Sequence, residues 1–288
     1  MAEESKPPFF QVEVGTSLVK GESYELVLRD GTYTNPISRL IWPTPPSATF
    51  DVSVTHSWTP WTSITMALRS AWPLEVGTMV DEDWKADTLK YGKSQHEAYL
   101  KVWTSARVEQ GFHFRPLTLS LGGLYRWTSW EGWNGTGTYE NTDGTTDKIT
   151  FSGLLIAYRQ QWLIPYLGAS WTLAAPGWTL TPGLRLGPYA WCFDMDNHNY
   201  ANRITRTFLD ATRGGIYGQG SLEATLEGGS DWSWGLRASW EIQWGAIGDT
   251  WTTYSYQSET GHSLSYGKTT NSAGTWFHEA GLTVFVRN

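Results

Sequence analysis

Between Trp232 and Ala246 the chain alternates without a break. Even positions read Trp232, Trp234, Leu236, Ala238, Trp240, Ile242, Trp244 and Ala246; odd positions read Ser233, Gly235, Arg237, Ser239, Glu241, Gln243 and Gly245. In an extended strand successive side chains point to opposite faces, so this run has one apolar face and one polar face. It is 15 residues long, against about 5–6 for an ordinary strand. The pattern returns at Phe50, Val52 and Val54, at Leu117, Leu119 and Leu121, at Trp178 and Leu180, at Leu222, Ala224 and Leu226, and at Ala280, Leu282, Val284 and Val286. No segment carries a convincing capped stripe of helical period.

Turn signals cut these runs apart. Short ones lie at Trp58-Thr59-Pro60-Trp61, His113-Phe114-Arg115-Pro116, Leu173 to Gly177 and Gly228-Gly229-Ser230-Asp231; longer polar stretches cover 29–37, 81–95, 133–146, 194–202 and 250–271. The spacing predicts ten strands, at 9–28, 38–57, 62–80, 96–110, 117–132, 147–172, 178–193, 203–227, 232–249 and 272–287. Long alternating strands, with short turns at one end, long loops at the other and abundant aromatics, are the pattern of an outer-membrane barrel. A bilayer offers no partner to an open sheet edge, so the sheet must close on itself. The expectation is a ten-stranded antiparallel transmembrane β-barrel that projects above the membrane, because several runs exceed the about 9–11 residues a spanning strand needs. The competing arrangement is a soluble sandwich or barrel with the same alternation turned inside out. The 19 Trp among 288 residues read as interfacial belts.

Composition narrows the function. One Cys excludes a disulfide framework and cysteine-based metal centres, and Cys192 reads as structural. A net charge of −7 without a basic run argues against nucleic-acid partners. The longest uncharged stretch, 160–184, carries Pro165, Pro176 and Pro182 and suits a hairpin better than a membrane helix. The chain reads as one domain over 1–288, with 1–8 expected to be disordered. Its first residues fit either a mature exported terminus behind an added Met or a cytoplasmic terminus.

Three places carry candidate chemistry. Strand three has its lipid-facing set on even positions, Ile64, Met66, Leu68, Trp72, Leu74 and Val76, so Arg69, Glu75, Asp81 and Asp83 share the inner face. The last two resist double ionisation, which raises one pKa; they are either an acid–base or water-holding pair or an ordinary acidic loop. Strand one has the same parity, with Val12, Val14, Leu18, Tyr24, Leu26 and Leu28 outward and Glu25 inward. In strand seven the outward set is even up to Leu186 and odd from Tyr189 through Trp191 and Phe193. Gly187-Pro188 therefore predicts a bulge that shifts the register by one and turns Asp194, Asp196 and His198 inward together. An Asp two residues before a His can orient the imidazole as a general base; the plainer reading is a polar loop with a chance His. The other histidines show no such company and no metal-ligand spacing, so no metal is expected, and His96-Glu97 reads as solvated.

The runs Met79-Val80-Asp81-Glu82-Asp83-Trp84 and Asp194-Met195-Asp196-Asn197-His198 resemble the omptin family, ten-stranded outer-membrane endoproteases of Gram-negative bacteria. The resemblance extends at low level over most of the chain, through Gly15-Thr16, Glu25, Ser38 to Trp42, Pro165-Tyr166-Leu167-Gly168 and Arg203-Ile204-Thr205. It implies that Asp81, Asp83, Asp196 and His198 are catalytic: His198, steered by Asp196, deprotonates a water that attacks the scissile carbonyl with no covalent intermediate, while Asp81 and Asp83 hold water and stabilise charge. It implies that Glu25 and Asp194 bind the Lys or Arg beside the cleaved bond. Also implied are peptide substrates, a site facing outward, lipopolysaccharide as a possible requirement with no other cofactor, and a monomer. The chain departs from the family in a shorter second long loop without the Trp-Thr-Asp-x-Ser-x-His-Pro run. Trp127 to Trp133 replace a Gly/Tyr-rich run, and the chain ends in Phe285-Val286-Arg287-Asn288. The alternative function is a non-enzymatic barrel, an adhesin or small porin, that keeps similar loops.

Overall fold

The computed structural model describes residues 10–29, 31–34, 36–84, 88–200, 204–228, 232–258 and 261–288. Residues 1–8, expected to be disordered, and Arg203 lie outside these. The strands are β1 (Phe10–Leu28), β2 (Pro36–Thr59), β3 (Thr62–Pro73), β4 (Gly77–Trp84), β5 (Leu89–Phe114), β6 (Leu117–Asn141), β7 (Thr146–Trp171), β8 (Leu173–Ala175), β9 (Trp178–Gly187), β10 (Ala190–Tyr200), β11 (Ile204–Gly214), β12 (Ile216–Glu227), β13 (Ser233–Ser258) and β14 (Gly261–Arg287). Every pairing is antiparallel, and β1 pairs with both β2 and β14. On the far side β7 pairs with β9 and β10, which pair with β12 and β11, and these with β13. The sheet therefore closes into the expected barrel.

Among the described residues fourteen strand segments stand where ten strands were expected. Three long strands are each interrupted once, at 74–76, 188–189 and 215, and the three-residue β8 precedes β9. Several strands also run further than their alternation. The polar stretches 133–141 and 250–258, read as loops, continue β6 and β13.

Outward side chains explain both the closure and the extra length. Val14 and Leu18, Met66, Leu68 and Trp72, Leu119 and Leu121, Leu184 and Leu186, Leu222 and Leu226, and Leu282 and Val284 are exposed and form one apolar belt. Such a belt suits hydrocarbon. Above it the outer face turns polar, with Lys20 and Lys93 exposed and Lys101 paired to Glu131 at 3.4 Å. The end of β1 from Lys20, β4, β10 from Asp194 and the facing part of β11 stand above the belt.

Inside the belt the lumen is crossed by ion pairs. Arg69 meets Asp51 at 2.8 Å, Arg185 meets Glu109 at 2.8 Å, and Arg237 and Arg287 hold Glu13 and Glu223. Arg126 pairs with Glu241 and lies 4.2 Å from the Phe277 ring centroid. Charges out of water need partners of opposite sign, and these pairs supply them around a cavity of about 290 Å³.

Above the ion pairs the interior becomes apolar. Trp42, Trp103, Trp130, Tyr158, Met79, Leu40, Leu100 and Ile156 form one buried cluster. The tryptophans thus divide: Trp232, Trp234, Trp240 and Trp244 face outward as expected, while Trp42, Trp103, Trp130 and Trp162 are among the largest fully buried side chains. Trp42 turns inward because β2 gains a residue against β1 between the pairs Val19–Ser47 and Gly21–Thr44, near Pro43, Pro45 and Pro46. A one-residue bulge moves every later side chain to the other face.

Candidate active site

The site is built by a pair of matched strand breaks. Leu186 lies opposite Leu167, and Trp191 lies opposite Leu163. Five residues of one strand therefore face four of the other, which is the expected one-residue shift at Gly187-Pro188. Across the next seam, Gly214 and Gly215 break the neighbouring strand at the same height, both with positive φ (88° and 75°) that only glycine adopts without strain. The two breaks flip both strands together. Asp194, Asp196 and His198 then point inward from β10, and Asp210, paired opposite Asp194, points inward from β11.

β4 brings Asp81 and Asp83 within electrostatic reach of His198, with Met79 in the neighbouring apolar cluster. Glu75, expected on the same inner face, lies instead in the exposed interruption between β3 and β4. Glu82, between the two aspartates, points outward. It is held by Arg39 and by Tyr91 at 3.0 Å, and this holds its pKa down despite some burial.

The two halves sense each other. Burial pushes the Asp81 carboxyl up to about 8; neighbouring Asp83 adds to the rise, and His198 opposes it. Burial also raises Asp83, against a hydrogen bond from Ser38 and the attraction of His198. His198 Nε2 is bonded to the buried Asp196 carboxylate. Burial alone disfavours the imidazolium, but Asp196 and then Asp81 outweigh it, so the His198 pKa is raised. The Asp pair and the Asp–His pair therefore lie close enough to titrate together.

Beside them is a second acidic group. Glu25 on β1, Asp194 and Asp210 each place one oxygen within 4.8 Å of the other two, and they are the one set among the described residues spaced to hold a cation. Burial raises the Glu25 and Asp194 carboxyls well above their usual range, and like charges add to it. Burial likewise brings Asp210 to about 7. Tyr158 and Gln160 form the neutral floor, joined at 2.6 Å.

All six residues singled out from sequence, Glu25, Asp81, Asp83, Asp194, Asp196 and His198, therefore converge on one region. Sequence reasoning missed Asp210, whose signal was the Gly214-Gly215 break, and Ser38. It also misplaced His96, which is buried rather than solvated, bonded to Ser94 at 2.7 Å and to the Asn134 carbonyl at 2.6 Å. Ser94 lies directly opposite Asp81, so His96 braces the wall behind the Asp pair.

Comparison with known proteins follows the same outline. The family model described as "Omptin family" matches residues 6–286. The crystal structure of the outer membrane protease OmpT from Escherichia coli superposes with a TM-score of 0.83 at 17% identity, covering 99% of this chain and 98% of that one. The translocator domain of the autotransporter NalP from Neisseria meningitidis aligns over 98% of this chain and 89% of its own at 11% identity, with a TM-score of only 0.39. No curated protein sequence matches.

Proposed function

The chain belongs to the Omptin family and is an outer-membrane protease of the Gram-negative envelope; from that premise we propose that it cleaves peptide bonds beside Lys or Arg by direct attack of water. The observation that carries this reading is the meeting of Asp81 and Asp83 with Asp196 and His198 in one cleft above the apolar belt.

In the proposed reaction a water sits between the two halves. Neutral His198 takes its proton as general base, and Asp196 fixes the ring and stabilises the imidazolium that forms. The hydroxide attacks the scissile carbonyl, and the imidazolium returns the proton to the leaving amine. With its raised pKa, Asp81 is protonated at neutral pH and donates a hydrogen bond to the developing oxyanion. Asp83 anchors the water. Glu25 and Asp194 receive the basic side chain. The cleft faces outside the cell, the chain acts as a monomer, and lipopolysaccharide supports activity. An open porin fits less well with a lumen crossed by ion pairs.

The test is cleavage of a fluorogenic Arg–Arg or Arg–Lys peptide by protein refolded in detergent with lipopolysaccharide. Asp83→Ala and His198→Ala should each lose about 10²–10⁴-fold in rate while the barrel still folds. Unchanged turnover in both variants would sink the mechanism. Efficient cleavage beside apolar residues alone would sink only the pocket assignment.

A further inference from the structure

Asp210 is a buried carboxylate that the proposed reaction does not use. It is 6% exposed, and Glu25 and Asp194 beside it are 2% and 5% exposed. Each of the three keeps one buried oxygen, Glu25 Oε2, Asp194 Oδ1 and Asp210 Oδ1, that accepts no hydrogen bond. Their strongest electrostatic neighbours include one another and Asp196, all of the same sign. A buried, unbonded carboxylate oxygen costs free energy unless a donor reaches it. Three neighbouring carboxylates, each with such an oxygen, therefore point to a cationic donor that arrives with a ligand.

The spacing says which cation. Three oxygens within 4.8 Å of one another share a central point no more than 4.8/√3, about 2.8 Å, from each. That is the length of a charge-assisted N–H···O bond, about 2.7–2.9 Å. One nitrogen with three donors can satisfy all three carboxylates from that point, which describes a primary ammonium. A guanidinium is a planar fork whose donors spread over three nitrogens, and it is best matched by carboxylates arranged around its edge. Only one of its nitrogens could occupy the central point, and that nitrogen carries two hydrogens.

We propose that Asp210 is a specificity-determining residue, and that with Glu25 and Asp194 it makes the pocket a tripod for the ammonium of Lys in preference to the guanidinium of Arg. The inference rests on the proposed cleavage beside basic residues and narrows it. Without Asp210 the pocket keeps two carboxylates, a pair that a guanidinium bridges as readily as an ammonium does.

The experiment uses three peptides identical except for Lys, Arg or the uncharged norleucine before the cleaved bond. The wild-type chain should cleave the Lys peptide with a kcat/KM about tenfold or more above the Arg peptide, a difference of the size that one polar contact gives. Asp210→Asn and Asp210→Ser should bring that ratio to about one or below, mainly through loss on the Lys peptide. A wild-type preference for Arg, or a Lys-to-Arg ratio unmoved in both variants, overturns the inference and leaves the basic-residue reading standing. Norleucine cleaved as well as both basic peptides overturns the two together. Inhibition of the wild type gives a readout independent of variant folding. n-Butylammonium should inhibit more strongly than n-butylguanidinium, and the reverse order also overturns the inference.

Discussion

The barrel below Lys20 and the barrel above it obey opposite rules. Below, the outer face is leucine, valine and tryptophan and the inner face is Arg–Glu and Arg–Asp pairs. Above, the outer face carries Lys93, Lys101 and Glu131 and the inner face carries Trp42, Trp103, Trp130 and Tyr158. One continuous sheet serves both because the solvent changes along it. In lipid the outer wall must be apolar, and charge is tolerated only in the lumen. In water the upper barrel packs as a soluble protein does, with its aromatics inside. The acidic site lies on the boundary, where strands flip from one rule to the other through breaks at 188–189 and 215. A cleft of like-charged carboxylates needs water above it and a rigid wall below it, and the boundary offers both.

This division predicts unequal answers to similar mutations. Trp130→Ala removes a fully buried side chain from the upper core and should cost about 3–5 kcal/mol. Trp234→Ala removes one already exposed to the surroundings, and should cost about 1 kcal/mol or less in detergent. Equal costs in urea unfolding would erase the distinction. Charge on the outer face gives the next largest contrast. Leu222→Arg lies in the belt and should destabilise by about 2–4 kcal/mol, whereas Thr138→Arg, exposed on upper β6, should stay within about 0.5 kcal/mol. If both were neutral, the belt would not be a membrane surface.

A pH-dependent effect comes from the site itself. Asp210 titrates near 7 in the fold, against about 3.9 unfolded. The folded state therefore holds this proton more tightly, and stability falls as pH rises from about 4 through 7. Asp210→Asn cannot ionise and should be more stable than wild type at pH 8 by on the order of 4 kcal/mol, with the gain gone near pH 4. A gain independent of pH would contradict the crowding of charge. Catalysis should at first carry the opposite slope. His198 acts neutral and its pKa is raised, while Asp81 acts protonated with a pKa of about 8, so kcat/KM should climb from about pH 6.5 and fall again above about pH 8. A rate that falls steadily between about pH 6 and 8 would remove His198 as the base.

The same division explains what was legible in the sequence. Lipid forces strict alternation, so the lower strands, the closed barrel and the inward parity of Glu25, Asp81 and Asp83 could be read directly. Above the belt both faces meet polar surroundings or aromatic packing, alternation fades, and 133–141 and 250–258 looked like loops. Bulges decided the rest. Gly187-Pro188 announced its register shift, and Asp194, Asp196 and His198 followed. The prolines at 43, 45 and 46 and the pair Gly214-Gly215 announced theirs equally, but without partners across the sheet their direction was not fixed. Trp42 and Asp210 were missed for that reason. His96 is held by the Asn134 carbonyl at a bulge inside β6, where Asn134 has a φ of 47°, a contact that no spacing within β5 encodes.

The central claim is that the Asp pair and the Asp–His pair act on one water as a unit. A double-mutant cycle on kcat/KM tests this most directly, with Asp83→Ala, His198→Ala and the double variant on one basic peptide. Groups that act together are strongly non-additive, so the double variant should fall no more than about tenfold below the worse single one. A double loss equal to the product of the two single losses would mean that the halves act independently, and would contradict the account.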